Sequence, residues 1–381
     1  MLHPSNTKAL NPIFSSEILE TWRSLISTAR RIVITCHKGP DGDAIGSSTA
    51  LASWLRRQGK EATVVAPTIF PDFLKWMPGA ADILVFDKHE ADVTPVVQAS
   101  DLIIMADHGE LSRMADLGDV VAAHTAPRIM LDHHLDPQEG IAQLVISHPE
   151  LSSTCELLLR LLLETHPQTP PVREGGELRT ANERSEALPL TGERGEGLLT
   201  HDEAVSLYTG MMTDTGAFTY ASSRPEIYEL ISILLAQGID KDKIYRNVFF
   251  TYSPDRLRLM GYLLYVKLEI DRKRHASIMT FTNAERRRFH TLNGDTEGFV
   301  NLPLQILGMK LSIFLREDTE RPVIRVSLRS VDDFPCNEMA SEFFNGGGHK
   351  NAAGGEFWGT MEEAVKRAKD AIIKYAPQLK A

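Results

Sequence analysis

The first 250 residues alternate short apolar runs with segments that have the spacing of amphipathic helices. Nearly continuous apolar strands separated by helices are typical of a parallel sheet covered on both faces. The apolar runs predict strands at 31–36, 62–66, 83–86, 101–106 and 128–131. The helical patterns lie at 44–58, from the predicted cap Ser153 to about residue 164, and at 201–212, 225–237 and 254–264. This order predicts an α/β domain with a doubly wound, mainly parallel sheet.

The C-terminal part has a second, shorter set of elements. Strands are predicted at 276–282, 310–316 and 323–329, helices at 337–344 and 361–375, and a glycine-rich loop at 346–355. They predict a smaller α/β domain, and we place the boundary so that the domains are 1–255 and 256–381. Residues 165–199 are rich in Pro, Gly, Glu, Arg and Thr, with scarcely an apolar residue between Val172 and Leu188, which favours a mobile insertion.

Composition narrows the class of protein. The chain has 381 residues, of which 43% are hydrophobic and 24% charged, and this excludes collagen-like, disulfide-scaffold and wholly disordered proteins. We expect a cytoplasmic protein without a membrane partner, because no long apolar run and no signal-peptide pattern is present. Cys36, Cys155 and Cys336 lie far apart in sequence, which predicts reduced thiols.

Charge is distributed unevenly along the chain. The net charge of −10 argues against binding long duplex nucleic acid. Residues 1–250 contain 21 Lys and Arg against 34 Asp and Glu, a net −13, whereas residues 251–381 contain 20 against 17, a net +3. We therefore expect cations to bind the first part and an anion to bind the second.

Candidate metal ligands follow several of the predicted strands. His37, Asp41 and Asp43 lie within seven residues after the first strand, where an open α/β sheet places its ligands. An Asp that caps the next helix is the alternative interpretation of this loop. Asp107 ends another apolar run.

Two further apolar segments also end in an Asp. One leads into Asp132, His133 and His134, and the other into Asp214. Carboxylates and imidazoles in this ratio favour Mn²⁺ or a similar divalent ion over a sulfur-based zinc site. The candidate carboxylates are more numerous than one ion would need as ligands, which suggests two ions.

These motifs, in this order, resemble the DHH phosphoesterase superfamily with its C-terminal DHH-associated domain. The likeness is nearest to the group of nano-RNases and phosphoadenosine-phosphate (pAp) phosphatases, and covers nearly the whole chain except 165–199. The resemblance implies strand-end settings for all four motifs, Asp214 included. His108-Gly109 departs from the small hydroxyl pair of many relatives. We expect His108 to be a surface loop histidine, with a supplementary metal ligand as the alternative.

The resemblance also implies a role for each candidate residue. One Mn²⁺ would be held by His37, Asp41 and Asp107, and the other by Asp43, Asp107, His133 and Asp214, so that Asp107 bridges the two ions. Asp132 would orient a histidine, and His134 would face the substrate as a catalytic group. The residues expected to bind the nucleotide end of the substrate are Arg329, Asn337, Gly346, Gly347, Gly348 and His349.

The implied activity is Mn²⁺-dependent hydrolysis of short single-stranded oligoribonucleotides to mononucleotides, with removal of the 3′-phosphate of adenosine 3′,5′-bisphosphate. A linear or cyclic dinucleotide phosphodiesterase is the alternative enzyme, and a non-catalytic nucleotide-binding sensor is the alternative from another class. The sequence leaves the oligomeric state open, and a homodimer is one alternative. We expect Arg286, Arg287 and Arg288 to form a solvated helix face, with a path for RNA as the alternative.

Overall fold

A computed structural model describes residues 10–165, 197–250, 252–292 and 294–379. It divides into two compact units, Met1–Thr251 and Tyr252–Ala381. Most of the expected mobile insertion, residues 166–196, lies outside the described residues. Within those described, no helix combines the length and the hydropathy that crossing a bilayer requires.

The first unit is built on a six-stranded parallel sheet with the order β3-β2-β1-β4-β5-β6. The strands are β1 Arg31–Thr35, β2 Glu61–Ala66, β3 Leu84–Val85, β4 Leu102–Ala106, β5 Arg128–Asp132 and β6 Leu144–Ser147. The order reverses between β1 and β4, which creates the switch point where such sheets bind ligands. The predicted doubly wound architecture is therefore confirmed.

Eight helices belong to the described part of this unit. They are α1 Ser16–Thr28, α2 Gly42–Arg57, α3 Phe86–Gln98, α4 Leu117–Ala123, α5 Thr154–Thr165, α6 His201–Asp214, α7 Pro225–Leu235 and α8 Lys241–Phe249. Alternate residues of β1 pack on opposite faces of the sheet, Ile32 and Ile34 in one apolar cluster and Val33 in another. Apolar side chains on both faces explain why the strands lack a polar alternation.

Several elements differ from the sequence prediction. The predicted strand 83–86 is wrong in length, because only Leu84–Val85 pairs with the sheet and Phe86 already begins α3. Helices α1, α3, α4 and α8 and strand β6 were not predicted. Edge elements such as β3 and β6 are short, so they leave little periodicity to detect.

The second unit contains a mixed six-stranded sheet with the order β11-β12-β10-β9-β8-β7. Only β8 and β9 pair in parallel. The strands are β7 Glu269–Asp271, β8 Ala276–Phe281, β9 Leu311–Glu317, β10 Ile324–Ser330, β11 Gly347–His349 and β12 Ala352–Phe357, and the helices are α9 Pro254–Tyr262, α10 Asn283–Arg288, α11 Cys336–Phe344, α12 Met361–Lys374 and α13 Ala376–Leu379. The predicted smaller α/β fold is confirmed.

The glycine-rich segment is not the loop that the sequence predicts. It forms the β11–β12 hairpin instead. A Cβ on Gly346 would collide with the backbone of Gly354, and one on Gly355 would collide with Phe344 at the end of α11. The glycines thus permit close backbone packing in a sheet, a role that composition alone does not distinguish from flexibility.

Candidate metal centre

The predicted ligands of the first unit converge at the carboxyl edge of its sheet. His37 lies two residues after β1, Asp107 directly follows β4, and Asp132 is the last residue of β5. These three strands are adjacent in the sheet. Because parallel strands end at one edge, residues that are far apart in sequence become neighbours at the switch point.

The loop between β1 and α2 supplies two carboxylates in different ways. Asp41 is the N-cap of α2, and its Oδ1 accepts hydrogen bonds from the backbone N–H groups of Asp43 and Ala44, both at 3.0 Å. Its other oxygen, Oδ2, lies 3.8 Å from Nε2 of His37. Asp41 is therefore a helix cap and a candidate ligand at once, so the two interpretations of this loop are compatible.

Asp214 reaches the site from a helix. The expectation that it follows a strand is wrong, because it is the last residue of α6. Helix α6 packs very closely on α2, and a Cβ on Gly210 would lie 2.9 Å from Oδ1 of Asp43. This close approach of two helices brings Asp214 to the same edge as the strand-end residues.

The candidate ligands form two donor groups that have no residue in common, and a third group, Asp107, His133 and His134, overlaps both. His37, Asp41 and Asp107 form the first, and the Nε2 of His37 lies 3.4 Å from Oδ2 of Asp107. Asp43, His133 and Asp214 form the second.

In the second group, the Nε2 of His133 lies 3.2 Å from Oδ2 of Asp214 and 3.9 Å from Oδ2 of Asp43. Within each group the donor atoms lie within 4.8 Å of one another, which is close enough to share one ion.

Asp107 lies between the two groups. Its Oδ2 is near His37, while its Oδ1 lies 3.7 Å from Nε2 of His133. Its backbone has a φ of +63°, a left-handed conformation that is uncommon for a residue with a side chain. Asp107 is the one residue whose two oxygens face both donor groups among the described residues.

The charges of the site are unbalanced without cations. Burial and repulsion from Asp107, Asp214 and Asp41 raise the pKa of Asp43 well above its usual value. Burial, with repulsion from Asp107 and Asp41, raises the pKa of Asp214 to about 8. Crowded carboxylates of this kind ionise together only when a cation neutralises them. The donor set therefore fits the divalent ions that the sequence motifs imply.

His37 responds to the same negative charge. Burial would lower its pKa, but hydrogen bonds and attraction to Asp107 and Asp41 raise the pKa to about 10. Its Nδ1 faces the carbonyl oxygen of Lys38 at 2.9 Å, which leaves Nε2 directed at the carboxylates. This backbone contact orients the imidazole for binding a cation.

The N-terminus of α5 holds two of the carboxylates. The backbone N–H groups of Thr154 and Cys155 donate to Oδ2 and Oδ1 of Asp43 at 2.6 and 2.9 Å, and the Thr154 hydroxyl donates to Oδ1 of Asp107 at 3.0 Å. The Oγ of Ser153 accepts from the N–H of Glu156, so the predicted cap is confirmed. The sequence indicated the cap, but the contacts of Thr154 with carboxylates from two other elements carry no local sequence signal.

Asp132 and His134 form a hydrogen-bonded pair beside the donor groups. The Nδ1 of His134 lies 2.7 Å from Oδ1 of Asp132, whose carboxylate is fully buried. Burial opposes protonation of His134, but the bond to Asp132 and attraction to Asp107 raise its pKa. The structure thus brings Asp132 together with the histidine that it is expected to orient.

His108 is not a surface loop histidine, and that expectation is wrong. Its side chain is fully buried, with Nδ1 3.2 Å from the carbonyl oxygen of Glu110 and Nε2 3.4 Å from the Thr35 hydroxyl. Burial lowers its pKa to about 4, so it is neutral. A donor N–H at Nδ1 leaves Nε2 as the acceptor for Thr35. The ring fills space beneath the site and belongs to neither donor group.

The predicted substrate-binding residues lie together in the second unit. Arg329 of β10 and His349 of β11 both pair with Ala352 of β12, so they occupy one row across three strands. A cavity of about 470 Å³ is lined by residues that include Asn337, Gly346, Gly347 and Gly348. The Oδ1 of Asn337 is buried and has no hydrogen-bond partner in the described structure. The row has the guanidinium and imidazole groups that suit an anionic ligand, whereas the cavity is also lined by Glu338 and Glu342.

The fold and the site together define a protein of two α/β units, the first of which has a candidate divalent-cation centre at the carboxyl edge of its sheet. Residues 31–182 match the DHH family, N-terminal domain, and residues 284–377 match the DHHA1 domain. A solved structure of an exopolyphosphatase-related protein from Bacteroides fragilis is 44% identical, has a TM-score of 0.87, and is matched over 98% of this chain and 100% of that chain. The chain belongs to the DHH family and is a phosphoesterase, as the motifs predicted.

Two curated relatives have more specific names. The bifunctional oligoribonuclease and PAP phosphatase NrnA of Thermus thermophilus is 27% identical, and the match covers 90% of this chain and 89% of the relative. The cyclic-di-AMP phosphodiesterase GdpP of Geobacillus thermodenitrificans is 24% identical over 93% of this chain but only 49% of its own length. The chain is thus similar over most of its length to nearly all of NrnA, but to only about half of the longer GdpP.

Proposed function

We propose that this protein hydrolyses short oligoribonucleotides to mononucleotides and also removes the 3′-phosphate of adenosine 3′,5′-bisphosphate. The observation that carries the proposal is the pair of donor groups with Asp107 between them, one of its carboxylate oxygens near His37 and the other near His133. Two neighbouring cation sites are the arrangement that phosphatases and nucleases use for an in-line displacement at phosphorus. The similarity to NrnA over nine-tenths of both chains supports the nucleotide class of substrate.

We propose that two divalent ions, Mn²⁺ by preference, occupy the donor groups. His37, Asp41 and Asp107 would hold one ion, and Asp43, Asp107, His133 and Asp214 the other. Oxygen and imidazole ligands without a thiolate suit Mn²⁺. When bound, such ions supply an activated water and neutralise charge on the phosphoryl oxygens.

The residues around the donor groups have separate roles in this mechanism. Thr154 fixes the positions of Asp43 and Asp107 through its N–H and hydroxyl groups. Asp132 orients His134 and favours its protonated form. His134 would therefore donate a hydrogen bond or a proton to the leaving oxygen, which gains negative charge as the P–O bond breaks.

The second unit would bind the nucleotide end of the substrate. The planar guanidinium of Arg329 can bind a phosphate through two parallel hydrogen bonds, and His349 shares its row in the sheet. Asn337, Gly346, Gly347 and Gly348 would add side-chain and backbone polar groups from the neighbouring cavity. The proposed domains are a catalytic domain at 1–255 and a substrate-binding domain at 256–381. We place the protein in the cytoplasm, since its three cysteines are buried and free.

A dinucleotide phosphodiesterase is the second candidate function. The similarity to GdpP covers most of this chain, and such an enzyme would use the same donor groups with a differently shaped base pocket. A non-catalytic nucleotide sensor is disfavoured, because it would have no chemical need for both donor groups.

The test is product chromatography after incubation with Mn²⁺. Separate reactions contain a 5′-phosphorylated diribonucleotide, a long single-stranded RNA, adenosine 3′,5′-bisphosphate, cyclic di-AMP and pyrophosphate. We expect rapid conversion of the diribonucleotide and the bisphosphate while the long RNA is spared. Turnover of cyclic di-AMP alone would replace the proposal with the second candidate. Nucleotide binding without turnover in any reaction would favour the sensor.

A further inference from the structure

One face of the second sheet carries a row of arginines beyond the predicted substrate-binding residues. Arg316 of β9 pairs directly with Arg325 of β10, and Arg329 lies four residues further along β10. The neighbouring residues Leu315 and Val326 belong to the apolar core on the opposite face. Since side chains alternate along a strand, the three arginines share one face.

Two arginines directly opposite each other in an antiparallel pair repel and need compensating charge. Arg325 has such compensation. Its Nε lies 2.6 Å from Oδ2 of Asp318, and its Nη1 lies 2.5 Å from Oε1 of Glu356. The charge of Arg325 is therefore neutralised within the protein.

Arg316 lacks the same compensation. Its side chain is half-buried, and its Nη1 donates to the Thr296 hydroxyl at 3.0 Å. In the part of the chain that the structure describes, it forms no ion pair. Burial and repulsion from Arg286 and Arg325 lower its pKa, although Glu297 and Asp318 attract it. A partly desolvated cation without a paired anion is unfavourable, and a bound anion would remove that cost.

The guanidinium of Arg286 is a second positive charge near Arg316. Its guanidinium lies 5.2 Å from the ring centroid of Phe281, and Phe281 pairs in register with Arg316. Arg286 thus packs against the residue that neighbours Arg316 in the sheet, and its charge repels that of Arg316. Arg287, the next residue of α10, is exposed. The Arg286–Arg288 run is therefore not uniformly a solvated helix face, because Arg286 is directed onto the sheet.

We infer that Arg316, held by the Thr296 hydroxyl, forms with Arg286 a second anion site that binds a backbone phosphate of a single-stranded oligoribonucleotide. The inference rests on the proposed function, since it extends the substrate site marked by Arg329. Arg316 is opposite Arg325, so it lies roughly 13 Å along the strands from Arg329. Guanidinium groups suit this role because they match phosphate geometry and lose less hydration than ammonium groups.

The site has a consequence for substrate length. A 5′-phosphorylated dinucleotide has two phosphates on adjacent nucleotides, and with its terminal phosphate at Arg329 the other is too near to reach Arg316, roughly 13 Å further along the sheet. A longer oligoribonucleotide has further phosphates. The second anion site should therefore strengthen binding of a tetranucleotide and leave binding of a dinucleotide unchanged.

The experiment measures binding without turnover. Full-length protein in EDTA and low salt is titrated calorimetrically with 5′-phosphorylated diribonucleotide and tetraribonucleotide. We expect Arg316→Gln and Arg286→Gln each to weaken tetranucleotide binding about tenfold, the size of a lost hydrogen bond to a charged group, and to leave dinucleotide binding unchanged. Arg287→Gln is the matched control, because it removes an equal charge from the same helix and should leave both affinities unchanged.

Thermal unfolding separates binding from a structural role. Arg316→Gln should keep or raise the Tm, because it removes the repulsion with Arg325. A lower Tm with unchanged tetranucleotide affinity would overturn the inference, and so would equal losses for both oligonucleotides or for Arg287→Gln. Failure of the proposed function is a separate result, since it would appear as absent hydrolysis of the dinucleotide in Mn²⁺.

Discussion

The two units of this protein differ in the sign of their uncompensated charge. The first unit gathers carboxylates at the buried edge of a parallel sheet, where burial and then repulsion between like charges raise the pKa values of Asp43 and Asp214. The second unit spreads arginines over a sheet face and leaves Arg316 without an ion pair among the described residues. In both units the unbalanced charge indicates the sign of the charge that a ligand would need in order to compensate it. The net −13 and +3 of the two parts of the sequence reflect the same division.

Among the variants that test this difference between the units, removal of the Asp107 carboxylate should have the largest effect on activity. Asp107→Ala deletes the residue that faces both donor groups, so we expect turnover of a 5′-phosphorylated diribonucleotide to fall at least about a thousandfold. Initial rates in Mn²⁺ measure the effect. The exposed Asp119→Asn is the matched control and should retain full activity. Substantial activity in Asp107→Ala would contradict the assignment of the centre.

Loss of a cation in the second unit should act on binding rather than on chemistry. Arg329→Met should raise the KM for a 5′-phosphorylated diribonucleotide about tenfold or more with a smaller change in kcat. The same dinucleotide with a 5′-hydroxyl lacks the phosphate and should show little change. Equal effects on the two substrates would mean that Arg329 does not bind the terminal phosphate.

The hydroxyl of Thr154 tests how the first unit positions its carboxylates. Thr154→Val keeps the N–H bond to Asp43 but removes the hydroxyl bond to Asp107, and we expect Mn²⁺ affinity to fall about tenfold. Calorimetric titration with Mn²⁺ measures this change, and Thr154→Ser should restore the affinity. Thr165→Val, at the far end of α5, is the control because its hydroxyl bonds only to α5 carbonyls in the described structure. Unchanged affinity in Thr154→Val would exclude the positioning role.

The smallest expected effect is a pH dependence of stability in the metal-free protein. Asp214 and His37 have folded-state pKa values raised to about 8 and about 10, so the folded state retains protons that the unfolded state releases. Stability should therefore fall as the pH rises from about 4 to 10. Thermal unfolding in EDTA between pH 5 and pH 8 should show a Tm that declines by a few degrees, less so in Asp214→Asn.

Mn²⁺ should remove most of this decline, because cations compensate the carboxylates and add their own binding free energy. A Tm that rises with pH in EDTA would show that the crowded carboxylates do not govern the stability of this unit. A Tm unaffected by Mn²⁺ at neutral pH would contradict cation binding at the donor groups.

The sequence predicted much of the fold, and for a physical reason. Buried parallel strands are nearly continuous apolar runs, so β1, β4 and β5 could be placed within one or two residues. The sequence does not predict α4 and β6, because segments of seven and four residues have little periodicity. The glycine-rich segment forms a hairpin and not the predicted loop. A high glycine content is compatible with a flexible loop and with closely packed strands, so the sequence does not distinguish them.

Sequence by itself determined which side chains can bind cations, in what order they occur, and that the two parts of the chain differ in charge. These properties depend only on the identity and order of the residues, so they can be read directly from motifs such as Asp132-His133-His134. Only the tertiary structure decided that Asp214 reaches the site from a helix, that Thr154 holds two carboxylates, that His108 is buried and that Arg316 lacks an ion pair within the described residues. Each depends on distances between segments that are remote in sequence, and packing of the folded chain alone sets those distances.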